Sequence, residues 1–111
     1  MVRFILKKEF YNEIISGKKV EEYRAVSVRN ALILFDCKKI IDEKGEPGVE
    51  ILQPKKIKEI RFDLGYTGNY FVIEVNKIAY EQFEDFLPEG FKKGSQAFTI
   101  YLGKIIKIHK K

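Results

Sequence analysis

The sequence predicts a small α+β protein with two helices and a mixed, mostly antiparallel sheet of about six strands that curls toward a barrel. Its 111 residues suffice for about one domain. Apolar residues make up 45% of the chain and include nine Phe and six Tyr, which supply a core and argue against disorder. Most apolar stretches are short and alternate as strands do, and two helices are too few to cover a parallel sheet. We therefore expect one domain over residues 1–111.

The first elements are a strand and a helix. Val2 to Leu6 is a short apolar run with β-favouring residues, which predicts a strand. Lys8 to Ser16 changes to helical spacing, and Gly17 follows as the residue that ends the helix. The apolar stripe of this helix, which we interpret as core packing, comprises Phe10, Ile14 and Ile15.

A charged corner follows the helix. Residues 19–26 alternate as a strand does, which places Glu22 and Arg24 on one face and predicts that they pair. Lys19 stands at the first residue of that strand and need not follow the alternation. The helix end and the strand thus aim three charged side chains toward shared space, and this corner is where we expect the functional site.

The middle of the chain predicts strands joined by turns. Ala31 to Phe35 is fully apolar and fits a buried strand, continued by Lys38 to Ile41. Asp42 to Gly48 is polar and rich in turn residues, so it predicts a hairpin into a strand at Val49 to Leu52.

A second group of strands is expected toward the end of the chain. A strand headed by Ile57, Ile60 and Phe62 breaks at residues 65–69, a loop with two glycines and with Tyr66 exposed at its tip. Residues 70–78 form the clearest strand pattern.

Glu74 lies on the polar face of the predicted strand over residues 70–78. Ala79 to Leu87 has helical spacing and stops before Pro88, which predicts a short second helix. Ala97 to Ile108 predicts a long last strand, with a bulge or bend at Gly103.

Composition excludes several kinds of site. One Cys and one His allow no internal disulfide and too few ligands for a structural zinc site, so we expect no metal and no cofactor. His109 lies in the basic tail, which leaves Ser-His-Asp or Cys-His catalysis without a base inside the domain. No run approaches the roughly 20 apolar residues of a membrane helix, so we expect a cytoplasmic protein without a membrane partner. The net charge of +5 suits an anionic partner such as nucleic acid.

The corner also carries a family resemblance. Gly17, Lys19, Glu22 and Arg24 match the pattern Gly-x-Lys-x-x-Glu-x-Arg, and the chain resembles a minimal ASCH domain of the PUA-like superfamily. The resemblance extends loosely to the preceding helix, the strand around Glu74 and the last strand. It implies a small PUA-like β-barrel with a cleft beside the first helix, in a family generally thought to bind RNA.

Some ASCH relatives are enzymes, including ribonucleases and an amidohydrolase that removes the acetyl group from acetylated cytidine. By position, the Lys of that amidohydrolase corresponds to Lys19 and its strand Glu to Glu74. Its Thr nucleophile falls where this chain has Glu22, which removes the hydroxyl that acyl transfer would use. The same hydrolysis would need Thr67 or an activated water in its place.

Three functions fit these residues. The first is binding of RNA or a modified nucleoside, and the second is hydrolysis of such a ligand with Lys19 and a carboxylate, Glu22 or Glu74, as catalytic residues. The third is a protein adaptor, so whether the chain is an enzyme stays open. A purely structural ion pair of Lys19 with Glu22 or Glu74 is the alternative for the charged residues. The expected ligand-binding residues are Lys18, Lys19, Arg24, Arg29 and Tyr66.

Overall fold

The computed structural model describes residues 1–84 and 91–111. In this part of the chain the protein is α+β, with seven strands, one more than about six, and two helices. The strands are β1 (Val2–Leu6), β2 (Glu21–Ala25), β3 (Phe35–Ile41), β4 (Pro47–Pro54), β5 (Glu59–Leu64), β6 (Tyr70–Gln82) and β7 (Gln96–His109). The helices are α1 (Lys8–Ile15) and α2 (Val28–Leu34).

The strands form two sheets. The larger has the order β1-β5-β6-β7-β2, and the smaller pairs β3 with β4. β1 and β5 are parallel, whereas β5 with β6 and β3 with β4 are antiparallel, so the prediction of a mixed, mostly antiparallel arrangement is confirmed. β1 and β2 end the strand order, and within the described ranges no pairing closes the larger sheet into the predicted barrel.

The chain divides into two compact units. The first comprises Met1–Glu22, Ile57–Lys77 and Ile100–Lys111, and the second comprises Tyr23–Lys56 and Ile78–Thr99.

The core of the first unit is an aromatic cluster under α1. Phe62 is fully buried, and its ring centroid lies 6.3 Å from that of Phe4 and 5.5 Å from that of Phe71. Tyr11 of α1 packs on Phe71 with the ring centroids 4.9 Å apart. The helix buries Tyr11 and Ile14, which lie one turn apart. Tyr11 therefore belongs to the apolar stripe of the helix, although the sequence prediction did not include it. The other two predicted members of that stripe, Phe10 and Ile15, are only half-buried.

Tyr11 is expected to lower the free energy of unfolding as the pH rises into the alkaline range. Its burial, and secondarily the charge of Asp63, raise the pKa of Tyr11 above the ordinary 10.0. Above pH 10 the unfolded chain therefore releases a proton that the folded chain retains, and the free energy of unfolding falls as pH rises, by up to about 1.4 kcal/mol per pH unit. Tyr11→Phe is expected to remove this part of the slope between pH 9 and about 11, measured by urea unfolding. Tyr66→Phe, at an exposed ring, is the control; identical slopes for wild type and Tyr11→Phe would contradict the prediction.

The second unit has its own aromatic core. Phe35 and Phe98 pack with ring centroids 5.0 Å apart, and Tyr80 packs edge-on against Phe98 at 5.2 Å. A second cluster joins Tyr23 to Phe83, with ring centroids 5.5 Å apart. These contacts fix the ends of β2, β6 and β7 that belong to this unit.

The predicted strand at Ala31 to Phe35 is wrong over residues 31–34, which form the last part of α2, whereas Phe35 is the first residue of β3. Ser27 caps the helix, since its hydroxyl accepts a hydrogen bond from the Asn30 backbone N–H at 3.1 Å. Ala31 and Leu34 are buried one helical turn apart. A short apolar run fits a buried helix as well as a buried strand. In this chain the Ser27 cap favours the helix. The predicted continuation at Lys38 to Ile41 is confirmed as part of β3.

The hairpin between β3 and β4 is confirmed. Asp42 organises the turn, because its Oδ1 accepts hydrogen bonds from the backbone N–H groups of Lys44 and Glu46, each at 2.9 Å. Gly45 has a φ of +78°, which a residue with a side chain rarely adopts. β4 extends beyond the predicted Val49 to Leu52 at both ends.

The predicted second helix is wrong over residues 79–82, which continue β6. The Phe83 N–H donates to the Ser95 carbonyl at 2.8 Å, and the Gly94 N–H donates to the Phe83 carbonyl at 2.7 Å. These hydrogen bonds between two separate segments of the chain outweigh the helical spacing of the local sequence. Residues 85–87 of the predicted helix lie outside the described residues.

Gly103 does not interrupt the last strand, since β7 runs from Gln96 to His109. A Cβ at Gly103 would lie 2.9 Å from Asn76 Oδ1 and 3.1 Å from Glu74 Cβ. The glycine thus permits close approach of β6 and β7.

Candidate functional site

The corner between α1 and β2 is fixed by backbone hydrogen bonds. Gly17 has a φ of +80°, and its N–H donates to the Ile14 carbonyl at 3.1 Å, which confirms that it ends the helix. The Lys19 N–H donates to the Glu13 carbonyl at 3.1 Å. Leu102 of β7 then donates its N–H to the Val20 carbonyl at 2.9 Å. The Lys19 side chain therefore extends from a backbone that hydrogen bonds to α1 and to β7 hold in place.

Lys19 and Glu22 form an ion pair at this corner. Lys19 Nζ donates to Glu22 Oε1 at 2.9 Å, and the two side chains are 16% and 5% exposed. The ammonium also lies 4.4 Å from the ring centroid of Phe10 on α1. A carboxylate and an aromatic face thus stabilise the same cation. Of the two ion pairs that the sequence left open for Lys19 as the structural alternative, the structure contains the one with Glu22.

The unequal exposure of the pair determines what a ligand would meet. Glu22 is almost entirely buried, whereas part of the Lys19 side chain reaches the surface. A polar group of a ligand would therefore contact the Lys19 ammonium, and the buried Glu22 carboxylate would hold that ammonium in position. A lysine held in this way can bind a phosphate or a carbonyl oxygen as a point charge.

Glu74 lies on the other side of the sheet from this pair. β5 and β6 pair without a register shift from Glu59↔Glu74 to Phe62↔Phe71, so side chains on β6 alternate strictly here. Phe71 faces Tyr11 of α1, and Glu74, three residues later, is exposed on the opposite face. Lys19 packs on Phe10 of that same helix. The structure therefore does not bring Glu74 to the pair, although the alternation in the sequence already indicated its face.

The other predicted ligand-binding residues are dispersed along the chain. Lys18 is exposed and directly precedes Lys19. Tyr66 is 93% exposed in the loop between β5 and β6, which confirms its predicted exposure. In the second unit, Arg24 is half-buried on β2 and Arg29 is exposed in the first turn of α2.

Sequence reasoning missed a charged cluster on the first unit. Asp63 is buried and accepts hydrogen bonds from the Nε groups of Arg3 and Arg61, the latter at 2.9 Å. The strand registers pair Arg3 with Arg61 and Asp63 with Tyr70, so these side chains share the face opposite α1. The signal was present in the sequence, since Arg61 and Asp63 are opposite charges at i and i+2 on a strand.

Tyr70 is the centre of this face. The Arg61 guanidinium carbon lies 3.7 Å from the Tyr70 ring centroid, and Lys107 Nζ lies 5.6 Å from it. The His109 ring stacks on Tyr70 with a centroid distance of 4.8 Å and an interplanar angle of 18°. Together, five residues form the Tyr70 face: Arg3, Arg61, Tyr70, Lys107 and His109.

The described residues contain neither a cluster of metal ligands nor a membrane-spanning helix. No group of three or more His, Cys, Asp and Glu side chains there is placed to hold a metal ion. In the same ranges, no helix has the length and apolar content needed to cross a membrane.

Comparisons of the chain with protein-family models, with curated proteins and with solved structures found no match. The features that bear on the function of the corner are its geometry and the motif from Gly17 to Arg24.

Proposed function

We propose that the chain is a PUA-like ASCH domain that binds RNA or a modified nucleoside at the corner around Lys19. The observation that carries the proposal is the Lys19–Glu22 ion pair, in which a largely buried carboxylate fixes an ammonium that reaches the surface. Lys19 contacts a phosphate or a polar group of the base, and Glu22 acts as a positioning residue.

The surroundings of the pair support an anionic or strongly polar ligand. Lys18 is exposed beside Lys19 and adds a second positive charge next to the ammonium. The whole chain carries a net charge of +5, which attracts nucleic acid over a longer range. Arg24, Arg29 and Tyr66 stay predictions as further ligand contacts.

A hydrolase is the second candidate, and the same pair favours it. Hydrolysis uses a base that activates water and an acid that protonates the leaving group, and the pair places one candidate acid and one candidate base 2.9 Å apart. Glu74 has no part in this version, because it lies on the opposite face of the sheet. The nucleophile would be a water molecule, since Glu22 stands where the related amidohydrolase has its Thr.

Lys19→Ala is expected to weaken the binding of labelled single-stranded RNA or of a modified cytidine by about fivefold to tenfold, because it removes a fixed positive charge. For RNA, the slope of log Kd against log salt is expected to fall by about one. The measurement is fluorescence anisotropy for RNA and calorimetry for the nucleosides, with product followed by chromatography.

Lys44→Ala, at an exposed lysine of the hairpin turn, removes the same charge and is the matched control. Lys19→Arg keeps the charge and should retain most of the binding. Binding without product supports the binding domain, and product that disappears only in the Lys19 variants supports the hydrolase. Equal affinity of wild type and a folded Lys19→Ala for every ligand would refute both.

A further inference from the structure

The first unit carries a second feature that suits nucleic acid, on the sheet face opposite α1. We propose that the Tyr70 face binds a single strand of nucleic acid, with one base stacked on His109 and the phosphates bound by the cationic side chains around it. The inference goes beyond the Lys19 corner, because the two surfaces lie on opposite sides of the sheet.

The charges of the face are held in place. Asp63 is buried beneath Arg3 and Arg61, so one carboxylate orients two guanidinium groups and the trio keeps a net positive charge. Arg61 is further fixed by its stacking on Tyr70. Lys107 adds a third cation above the same ring. Cations that are already ordered lose less conformational entropy when a phosphate binds.

The stack provides the platform for a base. Arg61 and His109 both contact the Tyr70 ring, which leaves less of that ring accessible. His109 itself is exposed, and its nearly parallel packing on Tyr70 fixes the orientation of its ring. A flat, oriented and exposed ring surrounded by cations is the arrangement on which an unpaired base stacks. In a duplex the bases already stack on each other, so the face favours single strands.

The neighbouring loop extends this surface. Tyr66 is 93% exposed in the loop that leads directly into Tyr70. The Lys111 N–H donates to Asn69 Oδ1 of this loop at 2.7 Å, which brings Lys110 and Lys111 to the same end of the face. At the other end Glu59 pairs in register with Glu74. The charge along β5 and β6 therefore changes from positive to negative, and we place the strand at the Tyr70 end.

His109→Ala is expected to weaken the binding of a labelled oligouridine of about twelve nucleotides by about fivefold or more, because it removes the stacking surface. His109→Phe retains a ring and should retain most of the affinity. Lys107→Gln should lower the salt slope by about one, since it removes one phosphate contact. Lys44→Gln, with the same change of charge away from this face, is the matched control.

The single histidine of the chain gives a direct signal. Its imidazole proton resonances can be followed by NMR without ambiguity, and a base stacked on the ring should move them upfield. Tripolyphosphate, which has charge but no base, is the reference. The same titration with single-stranded DNA decides whether the strand is RNA in particular or either nucleic acid.

The outcomes separate this inference from the proposed function. Upfield shifts with oligouridine, together with weaker binding by His109→Ala and not by Lys44→Gln, establish the Tyr70 face. Equal binding of duplex and single strand, or shifts that tripolyphosphate reproduces, would reduce it to general charge attraction and overturn the inference. Binding lost in Lys19→Ala but unchanged in the His109 and Lys107 variants would also overturn it while leaving the Lys19 corner intact. The reverse result would refute the corner and support the face.

Discussion

Phe62→Ala is expected to lower the free energy of unfolding by about 3 to 5 kcal/mol, a large share of the roughly 5 to 15 kcal/mol by which folded domains are stable. Phe62 is fully buried in the first unit and packs against Phe4 and Phe71. Removing its ring loses the transfer free energy of the apolar atoms and leaves a cavity beside the rings of Phe4 and Phe71. Tyr11 would also lose support, because it packs on Phe71.

Urea unfolding monitored by circular dichroism measures this loss. Ile106→Ala is the control, since Ile106 is 50% exposed in the same unit and its truncation should cost well under 1 kcal/mol. Phe62→Leu fills most of the space and should fall between the two. A loss below about 1 kcal/mol for Phe62→Ala would contradict the placement of this ring at the centre of the core.

Glu22→Gln is expected to lower the free energy of unfolding by about 2 to 4 kcal/mol, because it leaves the Lys19 ammonium beside a neutral amide. The estimate lies somewhat below that for a fully buried pair, since Lys19 is 16% exposed and keeps some hydration. The packing of Lys19 on the Phe10 ring offsets part of the loss. Glu13→Gln, at an exposed carboxylate of α1, should change stability little.

A double-mutant cycle shows whether the pair is retained for stability or for binding. Lys19→Met with Glu22→Gln removes both charges and is expected to be more stable than Glu22→Gln alone, because no buried charge is left without its partner. If the double variant equals the wild type in stability but no longer binds the ligand, the pair serves the site. A loss of stability in the double variant that equals or exceeds the sum of the two single losses would show that the residues do not interact as the structure places them.

The two surfaces of the first unit give the protein a testable division of roles. Lys19 offers one fixed cation, which suits recognition of a single polar group, whereas the Tyr70 face offers several cations and a ring, which suits the length of a strand. A protein that uses both should bind a strand more tightly than a mononucleotide and should lose each component separately.

The sequence by itself determined the elements whose pattern is local. β1, α1 and the end of α1 at Gly17 follow from apolar period and from the one residue that adopts a positive φ without strain. The hairpin at Asp42 follows because a side chain hydrogen-bonds its own turn. The sequence left the ion pair of Lys19 open between Glu22 and Glu74, and the structure contains the one with Glu22.

Only the tertiary structure decided the features that depend on distant partners. Residues 79–82 are strand because β6 pairs with β7, and a local window of the sequence does not show that pairing. Glu74 is separated from Lys19 because α1 packs on one side of the sheet only. The Tyr70 face joins β1, β5, β6 and β7, whose residues are up to about a hundred positions apart. Short-range patterns specify local conformation, whereas the packing of strands from distant parts of the chain specifies which side chains meet.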